Sequence, residues 1–367
     1  MEGLLVKKGK IIIYRLFDAA TDIDLTVVEQ TVKSGAKRLS FTRRPYMKAL
    51  QFTNPPVSLE MQSFNKSVFN SDARVSVIAK AYDFGVVSIA FEIPIPAGTS
   101  FTLLQEATRA LSQDAEVDSI SRAYALQLMD MISSAISNPE IKEGFIEDYM
   151  VVYAEELSGG LPMSDPAVRS MLSSLLTYET RELSPSSRED TLTHSFSYYA
   201  DDLIILHIDN AFICEPSGSS DLPDILEFAN AQILEMRYYD HLMDRELKRI
   251  YAEVSGAVRW PLFGIRKYER FAKKMMRTVT EMTEVTEKVN NSLKVTEDIY
   301  YARVYRAFMA LMRSKDWETS IKEKIQIVMN TLGMIHEEIS SRRGYLLELG
   351  IFILIILELL VVFYQEW

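Results

Sequence analysis

The feature that most constrains this chain is a long apolar run from Tyr345 to Tyr364. A helix needs about 20 predominantly apolar residues to cross the hydrocarbon of a bilayer. The run supplies them, with only Glu348 and Glu358 as ionised interruptions. Because the bilayer core offers no water to backbone amides, such a segment has to be helical. We therefore predict a single transmembrane helix over residues 345–364, inserted after synthesis as a tail anchor.

The residues on either side of the run predict its orientation. Arg342 and Arg343 precede it, and no Lys or Arg follows it. Positively charged residues favour the cytoplasmic side of a membrane, so we expect the rest of the chain to be cytoplasmic. A buried core helix and an interfacial helix are the alternatives, and the lack of a polar face disfavours the second.

Composition limits the remaining possibilities. The chain has 367 residues, 48% of them hydrophobic and 25% charged, which leaves room for two or three domains. Its formal net charge of -11 argues against nucleic-acid binding by the whole surface. The single cysteine, Cys214, excludes an intrachain disulfide. The first residues lack the long apolar segment of a signal peptide, so we expect none.

Residues 1–220 combine strand and helix patterns. The first part, residues 1–140, predicts a strand near Ile11, a short helix capped by Asp22, and antiparallel strands from residue 57 to 95, followed by one or two helices. The second part, residues 141–220, predicts a strand over 145–155, a helix capped by Asp165, and paired strands over 191–214.

These two parts look like copies of one plan. The stretch KAYDFGVVSIAFEIPIPAGTSF, which begins at Lys80, aligns with SYYADDLIILHIDNAFICEPSGSSD, which begins at Ser197. Both place a tyrosine and an aspartate before an apolar strand, then a proline, small residues and a helix. We therefore predict an α+β fold built on a duplicated strand-helix-strand-strand unit.

Residues 221–344 have helical periodicity throughout. The first helix begins at Asp221 and ends near Gly256. A second helix follows, and its charged residues could not lie against lipid at the depth of the bilayer, so this helix must break, best near Asn291. Apolar residues of the last helix repeat every four and three positions, as a coiled-coil seam does. We predict an antiparallel, coiled-coil-like helical stalk with this seam: Ile321, Ile325, Val328, Leu332, Ile335, Ile339, Arg342 and Leu346.

Three segments in this order resemble the family named "required for meiotic nuclear division", long catalogued as a domain of unknown function. They are YDFGVVSIAF (Tyr82 to Phe91), ILEFANAQILEMRYYDHLMDRELKRIY (Ile225 to Tyr251) and LLELGIFILIILEL (Leu346 to Leu359). Glu348 and Glu358 keep the family's spacing of ten residues, while Leu349 replaces its usual tryptophan. The resemblance implies a membrane-anchored, self-associating protein without known catalytic residues.

Strong catalytic motifs and phosphate-binding loops are absent from the sequence, and we expect no cofactor. His194 and His207 could approach each other on adjacent strands, but no patterned cysteine or carboxylate accompanies them as metal ligands. Asp201 and Asp202 are expected to cap a turn rather than to catalyse. Cys214 is expected to be a small buried residue.

Two charged features could mediate contacts with partners. Glu358 lies within the predicted span, so it either hydrogen-bonds across an oligomer of anchors or reaches water at the far interface. The one dense basic run could dock RNA or an acidic partner, although a solvated helix face is the simpler interpretation. Its members are Arg266, Lys267, Arg270, Lys273, Lys274 and Arg277.

Together these patterns favour a non-enzymatic, self-associating scaffold that displays an α+β body from a membrane. An enzyme or ligand sensor on the same body is the alternative, because duplicated α+β halves can bind a small molecule between them. An ion path lined by Glu358 is disfavoured, since it would need more polar residues in the span.

Overall fold

The computed structural model describes residues 4–32, 37–39, 50–257 and 300–365, together with short stretches between 270 and 295. The chain forms two compact units. The sheet unit comprises Met1–Tyr238 and Glu287–Asp316, and the helical unit comprises Tyr239–Thr286 and Trp317–Trp367. Both predicted α+β repeats contribute strands to the sheet unit.

The sheet unit is built on one ten-stranded mixed sheet, which confirms the α+β class. Its strand order is β11-β12-β13-β10-β1-β7-β6-β5-β3, and β8 pairs with β1 beside this path. These strands are β1 (Leu5–Asp18), β3 (Lys37–Arg38), β5 (Val57–Val68), β6 (Ser71–Ala81), β7 (Val86–Pro94), β8 (Thr99–Ser100), β10 (Ile146–Leu157), β11 (Ser195–Phe196), β12 (Leu203–Leu206) and β13 (Asn210–Cys214). Shorter pairs join β2 (Asp22–Ile23) to β9 (Ile136–Ser137) and β4 (Leu50–Phe52) to β14 (Leu293–Val295).

Each half supplies a long central strand, then helices, then antiparallel strands, in the order that the sequence predicts. The halves differ in the direction in which the last strand of each pairs with its long central strand. Strand β7 pairs with β1 in the antiparallel sense, whereas β13 pairs with β10 in the parallel sense. The aligned segments explain this difference, because the apolar stretch after Gly85 forms one strand and the stretch after Asp202 forms the β12-β13 hairpin.

The first five helices of the sheet unit begin at side-chain caps. Asp165 caps its helix through the backbone N–H of Ala167, as predicted. The first helix is capped by Asp24 rather than Asp22, because Asp22 is paired with Ser137 in β2. The helices are α1 (Leu25–Thr31), α2 (Phe101–Ser112), α3 (Ala115–Met131), α4 (Pro166–Thr177), α5 (Pro185–Thr191), α6 (Asp221–Ala257), α7 (Tyr300–Leu311) and α8 (Ser314–Gln365), with a 3-10 turn at Ser133–Ala135.

Alternation along the strands gives the sheet two differently built faces. On β1, Ile11, Ile13 and Phe17 join a large apolar cluster that includes buried residues of α1 to α4. Ile12, Tyr14 and Leu16 are also buried but lie on the opposite face. We call the first the apolar face and the second the α6 face, because side chains of α6 contact it.

Helix α6 is buried on all sides over residues 222–236. Its apolar residues accordingly extend beyond a single stripe, and four polar residues are buried among them: Glu227, Asn230, Gln232 and Glu235. Phe228 packs against the rings of Phe52, Tyr82 and Phe84. Tyr305 of α7 donates a hydrogen bond from its hydroxyl to Gln232 Oε1 over 2.6 Å.

The helical unit contains the second half of α6 and most of α8. Ile321, Val328 and Leu332 of the predicted seam are buried within this unit. Lys324 forms ion pairs with Asp240 and Asp244, each at 2.7 Å. Helix α6 is described as far as Ala257, and the residues that follow it lie outside the described ranges, so its predicted end near Gly256 stays a prediction. Asn291 is helical and β14 begins at Leu293, whereas Asn290 and Ser292, the other residues of the predicted break, lie outside the described residues. A coiled coil remains a prediction.

Candidate functional site

The apolar run lies in α8, a continuous helix of 52 residues. Its window Gly344–Val361 has a mean hydropathy of 2.4, and none of it is buried inside the chain. A core helix of a soluble protein would be mostly buried instead. The helix is therefore long and apolar enough to cross a bilayer, by length and composition.

Charged residues predicted to contact the membrane occupy the same helix. Arg342 and Arg343 lie within α8 before the apolar window, and Glu348 and Glu358 are exposed positions inside it. Aromatic side chains stand near both ends of the window, with Tyr345 69% exposed and Tyr364 88% exposed.

The predicted basic run is described in part. Arg266 and Lys267 lie outside the described residues. Four members are exposed and helical: Arg270, Lys273, Lys274 and Arg277. Met276, between the last two, is 57% exposed.

The most enclosed charges of the sheet unit lie where β6 meets α6. Lys80 Nζ is 2.6 Å from Asp224 Oδ1 and 2.5 Å from Glu227 Oε2. The side chain of Glu227 is completely buried, and that of Lys80 is 7% exposed. The hydroxyl groups of Tyr14 and Tyr82 lie in the same region. Burial raises the pKa of each, and the carboxylates of Glu227 and Asp224 raise it further.

The buried ion pairs of Lys80 with Asp224 and Glu227 hold α6 against the sheet. Burial lowers the pKa of Lys80, but the two carboxylates outweigh burial, so the amine stays protonated with a pKa above its ordinary value. Burial raises the pKa of Glu227, and Lys80 opposes that rise. A buried ion pair of this kind is costly to break from one side, because the remaining charge would be left without a partner. The cluster therefore ties α6 to the sheet.

A second cluster lies further along α6, at the ends of β1 and β10. Glu147 pairs with Arg237, and Asp18 Oδ1 lies 3.2 Å from Lys142 Nζ. The Lys142 amine also lies over the ring of Tyr238, 5.0 Å from its centroid. Leu16 is opposite Glu147 in the β1-β10 ladder, so Asp18, two residues later, projects from the same face.

The carboxyl groups of this second cluster titrate near neutral pH. Burial raises the pKa of Asp18 to about 6, against the opposing effect of Lys142. Burial likewise raises the pKa of Glu147 to about 7, against Arg237. Such groups can take up and release protons under physiological conditions, which is the property that general acids and bases need. Asp18 Oδ2 is buried and has no hydrogen-bond partner among the described residues.

The histidine, aspartate and cysteine candidates have local structural roles. The backbone N–H of Leu206 donates to the carbonyl of His194, so the two histidines do lie near adjacent strands. Asp202 accepts backbone hydrogen bonds from Tyr198 and Tyr199, which confirms the predicted turn cap. Cys214 is buried, and burial raises the pKa of its thiol to about 11. Within the described ranges, no group of three or more His, Cys, Asp or Glu is placed to hold a metal ion.

Sequence reasoning did not find either charged cluster. Lys80, Asp18 and Glu147 stand in strand patterns in which each looks like an exposed residue beside apolar neighbours. Glu227 stands among apolar residues of α6 that extend beyond a single stripe, and this pattern is the sequence signal that could have indicated its burial.

These observations define an α+β protein with a mixed sheet and one apolar C-terminal helix. Residues 8–221 match the family described as "Uncharacterized protein MJ0711, N-terminal domain", and the chain belongs to this family. The chain is similar to the uncharacterized protein MJ0711 of Methanocaldococcus jannaschii, with 23% identity over 193 residues, which cover 52% of this chain and 58% of that protein. It thus spans less than two thirds of that relative's length. No solved structure matches it.

Proposed function

We propose that α8 anchors this protein in a bilayer and that the chain acts as a non-enzymatic, self-associating scaffold. The observation that carries the proposal is the window Gly344–Val361, whose apolar side chains are left entirely unburied. Large exposed apolar surfaces are rare in soluble monomers and indicate interaction with a membrane or a protein.

Helix dimensions support a membrane as the site of this window. At 1.5 Å per residue, the distance from Tyr345 to Tyr364 is about 29 Å along the helix axis, close to the thickness of bilayer hydrocarbon. Tyrosines are favoured at membrane interfaces, where the ring is half apolar and the hydroxyl meets water. Arg342 and Arg343 favour a cytoplasmic location for the preceding residues.

Membrane attachment is tested with the full chain. We expect wild-type protein to stay with membranes through an alkaline carbonate wash and to dissolve only in detergent. Ile353→Lys combined with Ile356→Lys should release it, because each lysine costs about 3 kcal/mol at the centre of a bilayer. Glu323→Lys with Gln326→Lys adds lysines at exposed positions of the same helix before the apolar window and should leave attachment intact. Wild-type protein that is soluble without detergent would refute the proposal.

We propose that Glu358 contacts a neighbouring anchor within the membrane. The competing explanation for a carboxyl group in this segment is that it reaches water at the far membrane interface. Replacing Glu358 with Leu should reduce the particle mass in mild detergent if the carboxyl hydrogen-bonds to a neighbouring anchor. Glu348→Leu, closer to the membrane surface, is the matched control. An unchanged mass for Glu358→Leu would favour the competing explanation.

The resemblance to the "required for meiotic nuclear division" family belongs to the same proposal, since it also implies an anchored, self-associating protein. One observation favours the alternative of a ligand sensor. A surface cavity of about 310 Å³ lies within the first repeat rather than between the two halves, between the tip of the β5-β6 hairpin and α2, and is lined by Val68, Phe69, Ala107 and Leu111 among others. This volume is at the lower end for small-molecule sites. A sensor should show a rise in melting temperature with one compound of a metabolite panel, whereas a scaffold should show none.

A further inference from the structure

Four tyrosines of the sheet unit form a continuous aromatic patch, which we call the tyrosine patch: Tyr198, Tyr199, Tyr300 and Tyr301. Ring centroids are separated by 4.9 Å between Tyr198 and Tyr199, and by 5.7 Å between Tyr198 and Tyr300. Tyr301 extends the series at 5.6 Å from Tyr300. The first two rings are 46% and 48% exposed, while those from α7 are buried beneath them.

A fixed turn presents the two exposed rings. The carboxylate of Asp202 accepts the backbone N–H of Tyr198 over 2.7 Å and that of Tyr199 over 3.0 Å. These bonds fix the backbone of the turn before any partner binds, and the ring of Tyr198 packs against that of Tyr300. Preordered tyrosines lose little entropy on binding, which is one reason why they are frequent among the residues that dominate interfaces.

Acidic residues lie near the tyrosine patch, together with the exposed cation of Arg303, which lowers the pKa of the Tyr300 hydroxyl. Asp201 is exposed beside it. Besides burial, Asp202 and Glu215 raise the pKa of Tyr300, so both carboxylates lie within electrostatic reach of that hydroxyl. The Tyr300 hydroxyl is buried and has no hydrogen-bond partner among the described residues. Aromatic faces and carboxylates both attract cations, so this surface favours a positively charged partner.

The same chain carries a segment with the complementary chemistry, residues 273–277 of the helical unit, which we call the basic segment. Lys273, Lys274 and Arg277 are exposed there, and Met276 is 57% exposed. Lys273 shares a helix face with Met276 and Arg277, three and four positions later. A methionine thioether packs well against aromatic rings, and the flanking cations match the carboxylates around the tyrosines.

We propose that the tyrosine patch of one copy binds the basic segment of a second copy. This contact deepens the self-association that the proposed function includes, and it lies outside the bilayer. It accounts for a cluster of exposed cations in a chain whose net charge is -11.

Charge reversal and charge exchange test this contact in the full-length protein, purified in mild detergent. Lys273→Glu with Lys274→Glu should raise the dissociation constant of the oligomer at least tenfold, as should Asp201→Lys. Combining the three substitutions should restore at least part of the wild-type affinity, because opposite charges then face each other again. Particle mass across a protein dilution series measures each constant.

Matched controls separate this contact from general effects of charge and aromatic loss. Lys248→Glu with Lys315→Glu reverses two exposed lysines elsewhere, and Tyr251→Ala removes a tyrosine that is 54% exposed in the helical unit. Both should leave the mass unchanged, whereas Tyr198→Ala with Tyr199→Ala should lower it. An unchanged mass in the reversal variants, or no recovery on exchange, overturns the proposed contact.

Membrane attachment, measured by the carbonate wash on the same variants, is expected to stay at the wild-type level. An oligomer that persists in the reversal variants would contradict this contact but not self-association. A wild-type monomer that remains in membranes would contradict self-association and leave the anchor in place.

Discussion

The two faces of the central sheet are buried to a similar extent but by different means. The apolar face is closed by aliphatic and aromatic side chains of the strands and of α1 to α4. On the α6 face, ion pairs of Lys80 and Glu147 with residues of α6 are mixed among apolar contacts. Apolar burial is non-directional, whereas a buried ion pair stabilises only one geometry. The α6 face therefore fixes the position of a helix that apolar contacts alone would position less uniquely.

The largest expected effect is on the α6 face. Lys80→Met leaves the buried carboxylate of Glu227 without its cation and should lower the free energy of unfolding by about 3 to 5 kcal/mol. Adding Glu227→Leu should recover much of the loss, because two apolar side chains then replace the pair. Denaturant unfolding of the protein in detergent measures both values. Equal unfolding free energies for Lys80→Met alone and for Lys80→Met with Glu227→Leu would show that the ion pair does not hold α6 on the sheet.

On the apolar face, Leu104→Ala should lower the free energy of unfolding by about 2 to 5 kcal/mol through lost burial and the cavity left behind. Leu104 is completely buried in the apolar cluster. This loss should be the same at pH 5 and pH 8, since no titrating group is removed. A strongly pH-dependent loss would contradict the distinction between the two faces.

The second cluster should make stability depend on pH. The pKa values of Asp18 and Glu147 are raised on folding to about 6 and about 7. The folded state therefore holds protons that the unfolded chain releases, and stability falls as pH rises from about 4 to 7. Each group contributes on the order of 2 to 3 kcal/mol to this fall.

Substituting these two carboxyl groups isolates their contribution. Asp18→Asn with Glu147→Gln should flatten the pH dependence between pH 4 and 7 relative to wild type. Asp72→Asn with Glu60→Gln, at exposed positions, is the control pair and should preserve the wild-type slope. The comparison uses unfolding free energies measured at several pH values. An unchanged or steeper slope in the first variant would mean that burial does not raise these pKa values.

The smallest effect is expected at a helix cap on the apolar face. Asp165 accepts the backbone N–H of Ala167 over 2.8 Å at the start of α4. Asp165→Ala should cost about 1 kcal/mol, and Asp165→Asn much less, because asparagine also caps helices. Thermal unfolding resolves this difference, and equal losses for the two variants would exclude a capping role.

Much of the architecture could be predicted because it depends on local sequence. The α+β class, the cap at Asp165, the start of α6 at Asp221 and the apolar α8 all follow from hydrophobic periodicity and cap residues. The sequence predicts the cap of α1 two residues too early, because Asp22 and Asp24 are both suitable cap residues and only the β2-β9 pairing distinguishes them. The parallel pairing of β13 with β10 could not be predicted, since strand patterns do not encode pairing sense.

The helices, the strands and the apolar segment could be predicted from the order of residues alone, because side-chain periodicity and segment length act within a few turns of chain. Which charged side chains form pairs depends on the packing of the folded chain. Lys80 and Glu227 are 2.5 Å apart across 147 residues, and Asp18 approaches Lys142 across 124. Burial then raises the pKa values of these carboxyl groups, and burial depends on how α6 packs on the sheet. Contacts between residues so distant in sequence leave no local pattern, so their chemistry appears only once the chain is folded.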